Sequence, residues 1–235
     1  MTSMLRLLFV SLCVLASSVA AARPVITLCP ANRPQIDGVI APGEWESAQT
    51  IDIQVNVPEG GAAPARLYVM NDAQNLYVAM RIVRAAADAS STLSVNLDAD
   101  YDRTLSAGDD TLGVFYDQSG GSVSFDNVHY TGGECPQDAV CSTADSERGG
   151  TNDVAGAVGS DGTYVIYELS KPLMTPGGLD ATMLSGTSMA MTFAVRLLSA
   201  GAEWPNGVAD TYYPSVPSAG LYVDYTIRYC GGIDQ

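Results

Sequence analysis

The chain has 235 residues, with 26 Asp or Glu against 11 Lys or Arg, for a formal net charge of −15 at pH 7. So acidic a surface repels phosphate backbones, which excludes nucleic acid as a partner, and it suits hard, oxygen-seeking cations. Cations are scarce enough that Lys171 is the sequence's one lysine.

Residues 1–22 read as a secretory signal peptide: Arg6 in the n-region, an apolar run over 7–15, then small residues over 17–22 offering cleavage sites. The run is short for a membrane span, and no later segment reaches that length, so the mature form is expected to have none. Residues 23–235 are read as a single domain, placed outside the cytoplasm as a secreted, periplasmic or cell-surface protein. Cys13 leaves with the signal, and Cys29, Cys135, Cys141 and Cys230 remain, an even set in an oxidising compartment. Of three pairings, Cys135–Cys141 with Cys29–Cys230 is favoured: the first staples a short loop, the second ties the chain ends together. A zinc site competes less well, because no C-x₂-C spacing exists.

The dominant period is two. Residues 50–57 alternate Ile51, Ile53, Val55 and Val57 with Asp52, Gln54 and Asn56, the mark of a half-buried strand. Strand-like runs at 65–70 and 76–83 flank turn residues, which predicts a hairpin. Further strands are predicted at 92–97, 111–116, 123–128, 151–158, 163–169, 190–198 and 221–229. Residues 42–48 are the one short helical candidate, and 131–150 and 199–219 read as long irregular loops, where binding residues tend to sit. Ten or more short strands without a long 3.6-residue period predict an all-β antiparallel sandwich.

The sharpest chemical signal is the loop holding Asp98, Asp100, Asp102, Asp109 and Asp110. Alternating aspartates in a curling loop aim carboxylates at one centre, and calcium takes six to eight oxygens. With Asp98 at position one, Asp100, Asp102 and Asp109 fall at positions three, five and twelve of an EF-hand loop. Two features depart from it: Arg103 stands where glycine belongs, and Asp109 replaces the bidentate glutamate. The five aspartates are therefore predicted to hold calcium in a β-β connection.

Pro34-Gln35-Ile36-Asp37-Gly38, followed by Gly43-Glu44-Trp45 and Ala48, resembles the opening of the family 9 carbohydrate-binding-module-like domains, within the wider DOMON-like β-sandwich group. The resemblance continues through the 65–83 hairpin, the acidic loop, the Gly150–Asp153 step and the Tyr167-Glu168-Leu169-Ser170-Lys171-Pro172-Leu173 segment. It implies a jelly-roll-like sandwich, structural calcium, and sugar-chain ends bound between two tryptophans, hence a glycan or cell-surface polysaccharide as partner. This sequence departs at the clamp. Trp45 sits in the opening motif, where it reads as core packing behind a turn, leaving Trp204, with Tyr212 or Tyr213, to offer flat aromatic faces to a sugar.

Other functions fare worse. Gly186-Thr187-Ser188-Met189-Ala190 looks like a subtilisin nucleophile segment, but His129 is the sole histidine and the following residues alternate as a strand. Glu168 and Glu203 are the better carboxylates for glycoside hydrolysis, yet Glu168 lies in a strand-end motif that suits a structural bond, so no catalytic residue is named. Haem is the weaker cofactor reading, with His129, Met70, Met80, Met189, Met191 and Lys171 as axial candidates; methionines on alternating strands read as core filler. A calcium-stiffened adhesion module without a small ligand is a further alternative.

Overall fold

The computed structural model describes residues 29–230 apart from 31–32, 58–60, 88–90, 104–105, 118, 137–139, 176–178, 198–209 and 213–222. Residues 1–22, read above as a signal peptide, Trp204 and Tyr213 lie outside the described residues, and Tyr212 is described by its backbone alone. No described helix is long and apolar enough to cross a membrane.

Two antiparallel sheets face each other. The first runs β1 (Gln49–Asn56), β2 (Ala62–Asn71), β3 (Asn75–Val83), β9 (Tyr164–Pro172), β8 (Ala155–Ser160). The second runs β11 (Asp210–Tyr212), β10 (Ser188–Arg196), β4 (Thr92–Asp98), β5 (Asp110–Tyr116), β6 (Ser122–Tyr130), β7 (Cys141–Ala144). β12 (Val223–Thr226) also pairs with β10. The expected all-β antiparallel sandwich is what forms.

Alternation puts one parity of each strand between the sheets. Leu67 and Val69, Val78 and Met80, Tyr167 and Leu169 meet Leu93, Val95, Leu112 and Val114 in the main core. The opposite parity of the first sheet carries a second cluster of Tyr68, Met70, Tyr77 and Ala79, roofed by Trp45 and Ala48. The N-terminal segment is thus a lid on the outer face of that sheet.

Four sequence expectations are corrected. Residues 42–48 form consecutive turns, with Glu44 N bonded to Ala41 O and Ala48 N to Trp45 O, because Gly43 takes φ 85° and interrupts the helical path. β8 starts at Ala155, since Asn152 turns back on Val154 N and reaches Ser124 O instead of extending a ladder. The irregular stretch 131–150 contains β7 and a 3₁₀ turn (Asp145–Arg148), and 199–219 contains β11. Both disulfides form as predicted, Cys29–Cys230 and Cys135–Cys141.

Candidate functional site

The lid is held by one carboxylate. Glu168, buried on the outward parity of β9, accepts from Asp37 N (3.1 Å), Gly38 N (2.8 Å) and Trp45 Nε1 (3.0 Å). Gly38 has φ 84°, and a Cβ there would lie 2.7 Å from Gly159 N, so the close backbone approach needs glycine on both counts. Glu168 is therefore a structural anchor. Burial pushes its carboxyl up to about 7, against the pull of these donors. A carboxyl that holds its proton more tightly when folded stabilises most below its unfolded value of 4.5, and that contribution fades as pH rises through about 7. The stability advantage of wild type over Glu168→Gln in urea denaturation is accordingly expected to fall by about 3 kcal/mol between pH 4 and pH 8. An advantage independent of pH would mean that folding leaves the affinity of Glu168 for its proton unchanged.

The acidic loop divides its aspartates between two places. One carboxylate oxygen from each of Asp98, Asp100 and Asp109 lies within 4.8 Å of the other two. Asp98 and Asp109 are buried; Asp100 and Asp102 are exposed. The loop backbone organises the group: Asp98 accepts from Asp102 N (3.2 Å) and Arg103 N (2.6 Å), and Asp109 from Ala99 N (3.1 Å) and Ser106 N (2.7 Å). Asp102 joins through its N–H, which also reaches Asp100 (3.2 Å). Tyr101 and Arg103 adopt φ 64° and 63°. Arg103 therefore takes the left-handed turn that glycine supplies at position six of an EF-hand loop, while its guanidinium pairs with Asp224 at 3.0 Å. Burial raises the Asp98 carboxyl, and the Arg103 N–H only partly offsets it. Three carboxylates and no softer donor fit a hard divalent cation.

Asp110, grouped with that loop in the sequence, points the other way. It continues the core parity of Leu112 and Val114, so the sheet separates it from its neighbour Asp109. It faces Lys171, which follows the inward parity of Tyr167 and Leu169 on β9 and is wholly buried. Lys171 Nζ lies 2.6 Å from Asp126 Oδ2, 2.6 Å from Asp180 Oδ1, 3.2 Å from Asp153 Oδ1 and 3.9 Å from Asp110 Oδ2. Burial pushes Asp110 up to about 7 and raises Asp126 and Asp145, each against the pull of Lys171. Burial also acts to raise Asp180, but hydrogen bonds from Lys171 and Thr175 overcome it and hold that group low. Burial acts to lower Lys171, and the charge of Asp126 leads the carboxylates that reverse this, so the ammonium stays charged.

The remaining candidates are placed as follows. Trp45 is in the outer cluster, tilted against Tyr68 with ring centroids 6.1 Å apart. Ser188 opens strand β10 and its hydroxyl meets Thr226 Oγ1 at 2.9 Å, so the subtilisin-like segment has no nucleophile turn. His129 Nε2 is 2.6 Å from Thr111 Oγ1, and Met70, Met80, Met189 and Met191 are buried in the two apolar clusters. A shallow groove by β7 is lined by Tyr130, Glu134, Thr143, Glu147, Arg148 and Leu179. The Arg148 guanidinium lies 3.5 Å from the Tyr130 ring centroid and covers that face.

No family model and no curated protein matches this chain. Among solved structures it is similar to a family 9 carbohydrate-binding module from Caldicellulosiruptor kristjanssonii in complex with cellotriose, at 14% identity and a TM-score of 0.51, over 86% of this chain and 92% of that one. A glucose complex of a family 9 module from the same organism aligns at 15% identity and a TM-score of 0.49, over 88% of this chain and 97% of the other. The chain has the family 9 carbohydrate-binding-module fold. At such identity the likeness is one of architecture.

Proposed function

We propose that this protein is an exported, non-catalytic carbohydrate-binding module steadied by calcium in the Asp98–Asp109 loop. The observation that carries the reading is the fold shared, over most of both chains, with a module whose solved structure holds cellotriose. The opening motif adds support: Trp45 packs behind a turn and Glu168 makes a structural bond, as the family-like sequence leads one to expect, which leaves the sugar contacts to the segment with Trp204, Tyr212 and Tyr213. Two disulfides fit an oxidising compartment. Asp98, Asp100 and Asp109 would ligate the cation, which would neutralise the loop and stiffen it for whatever the module presents beside it.

A glycan array probed with the purified protein, with and without EDTA, tests the reading. Binding to β-glucans or related chains is expected, together with loss of that binding in Trp204→Ala at unchanged melting temperature. Calcium added back to EDTA-stripped protein should raise the melting temperature by several degrees. An array without a single glycan hit would overturn the sugar reading, and an unchanged melting temperature would remove the cation.

A further inference from the structure

Asp and Glu outnumber Lys and Arg by 26 to 11, yet among the described residues no carboxylate pairs with the Arg81 guanidinium. Two rings hold it instead: its Cζ lies 4.9 Å from the centroid of Tyr164 and 5.8 Å from that of Tyr68. Asp52 and Asp161 feel its charge, but each is committed elsewhere. Asp52 takes Arg66 Nε and Nη2 at 2.6 and 2.9 Å, and Asp161 accepts from Thr163 N (2.8 Å) and Tyr164 N (2.7 Å). A ring face answers the charge of an arginine but offers no lone pair to its fork of N–H donors. Arg81 also lies where the lid stops. Met80 and Ile82 turn into the main core, so Arg81 and Val83 face outward, in register with Ile166 and Tyr164 of β9. Gly38 sets the lid down on Gly159, the β8 residue of the same row as Arg81 and Ile166. Beyond that row the face is open among the described residues: Val83 is 42% exposed, and Val39, beside Gly38, is 55% exposed.

We propose that Arg81 and Tyr164 form a second binding patch, on the outer face of the first sheet, for a uronic acid group carried by an otherwise neutral glycan. A uronate supplies both things the patch lacks. Its planar carboxylate matches the guanidinium fork with two parallel hydrogen bonds, and its pyranose ring has a C–H face that can lie on Tyr164 and Val83, which are in register. A neutral sugar would leave Arg81 without its counter-charge. A polyanion would meet the field of a chain of formal charge −15, which one guanidinium does not offset. Isolated carboxylates on a neutral chain satisfy both limits. The two rings hold the guanidinium before anything binds, so less side-chain entropy is lost on contact than with a free arginine. The sugar half of this inference rests on the glycan reading above, but the patch uses neither the Trp204 segment nor the aspartate loop.

The test titrates the full chain with sodium glucuronate, glucose and sodium acetate, followed by NMR, for wild type, Arg81→Gln, Tyr164→Leu and Trp204→Ala, with circular dichroism as a control of folding. Glucuronate is expected to bind wild type more tightly than acetate does, and less tightly as salt is added. Arg81→Gln should bind it at least about tenfold more weakly, the loss of a charge-assisted pair. Tyr164→Leu should bring glucuronate down to the level of acetate, and Trp204→Ala should leave its binding unchanged. The patch is overturned if wild type binds no glucuronate, if Arg81→Gln binds it as wild type does, or if acetate binds as well as glucuronate. Loss of glucuronate binding in Trp204→Ala with Arg81→Gln unaffected would overturn it too, by moving the contact to the other segment. Glucuronate held through Arg81 by a protein that takes no neutral glycan would uphold the patch and sink only the sugar reading of the Trp204 segment. Neutral glycans bound without glucuronate would do the reverse.

Discussion

Lys171→Met is expected to lose about 3–5 kcal/mol of folding stability at pH 7, the cost of leaving buried carboxylates without their ammonium. Natural domains hold about 5–15 kcal/mol in total, so the loss takes a large share of the stability and lowers the melting temperature. Methionine fills a similar volume and suits a strand that already carries Tyr167 and Leu169 inward, so packing is not what is lost. What is lost is the ammonium that Asp126 and Asp180 approach to 2.6 Å. The deficit should shrink on acidification. Asp110, already pushed up to about 7, takes its proton early as pH falls, and a neutral carboxyl no longer needs a counter-charge. Urea denaturation of both proteins at pH 5 and pH 7.5 measures this. A variant within 1 kcal/mol of wild type at pH 7.5 would show that the aspartates are uncharged in the fold.

Glu168→Ala is expected to cost about 3–5 kcal/mol as well, by a different route. Three donors, the buried Gly38 N and Trp45 Nε1 and the part-buried Asp37 N, lose one shared acceptor, and each unpaired buried donor costs about 1–3 kcal/mol, less than additively. The lid then has only apolar contact to hold it over Tyr68, Met70, Tyr77 and Ala79. Its release should expose Trp45 and shift tryptophan fluorescence to the red before global unfolding, giving two transitions where wild type has one. Glu168→Gln is expected to be milder, because its carbonyl can still serve the two backbone donors while its amide faces Trp45 Nε1 donor to donor. A single transition for Glu168→Ala at the wild-type midpoint would mean that the lid is held by packing alone.

The strand pattern was legible because a half-buried sheet imposes a period of two that no other structure shares. Ile51, Ile53 and Val55, and the hairpin around Asp72, announce β1 and β3 to within a residue, while β2 begins three residues before the predicted 65. Short elements were not: β7 has four residues and exists through its pairing with β6, beside the Cys135–Cys141 bridge. Asx bonding by Asn152 likewise overrode the strand-like look of 151–154.

The sequence by itself determined the sandwich, favoured the disulfide pairing that forms, and indicated the packing role of Trp45 and a carboxylate loop with the spacing of a cation site. Only the tertiary structure decided which aspartates act together. Asp109 and Asp110 are adjacent in the chain, but at the start of β5 adjacent residues point to opposite faces, so one serves the loop and the other the interior. Asp126, Asp145, Asp153 and Asp180 come from separate stretches, and nothing in their spacing links them. Lys171 was the available clue, a lone lysine at a core-facing position of a strand. The meaning of a charge inside a sandwich depends on what the opposite sheet brings to it.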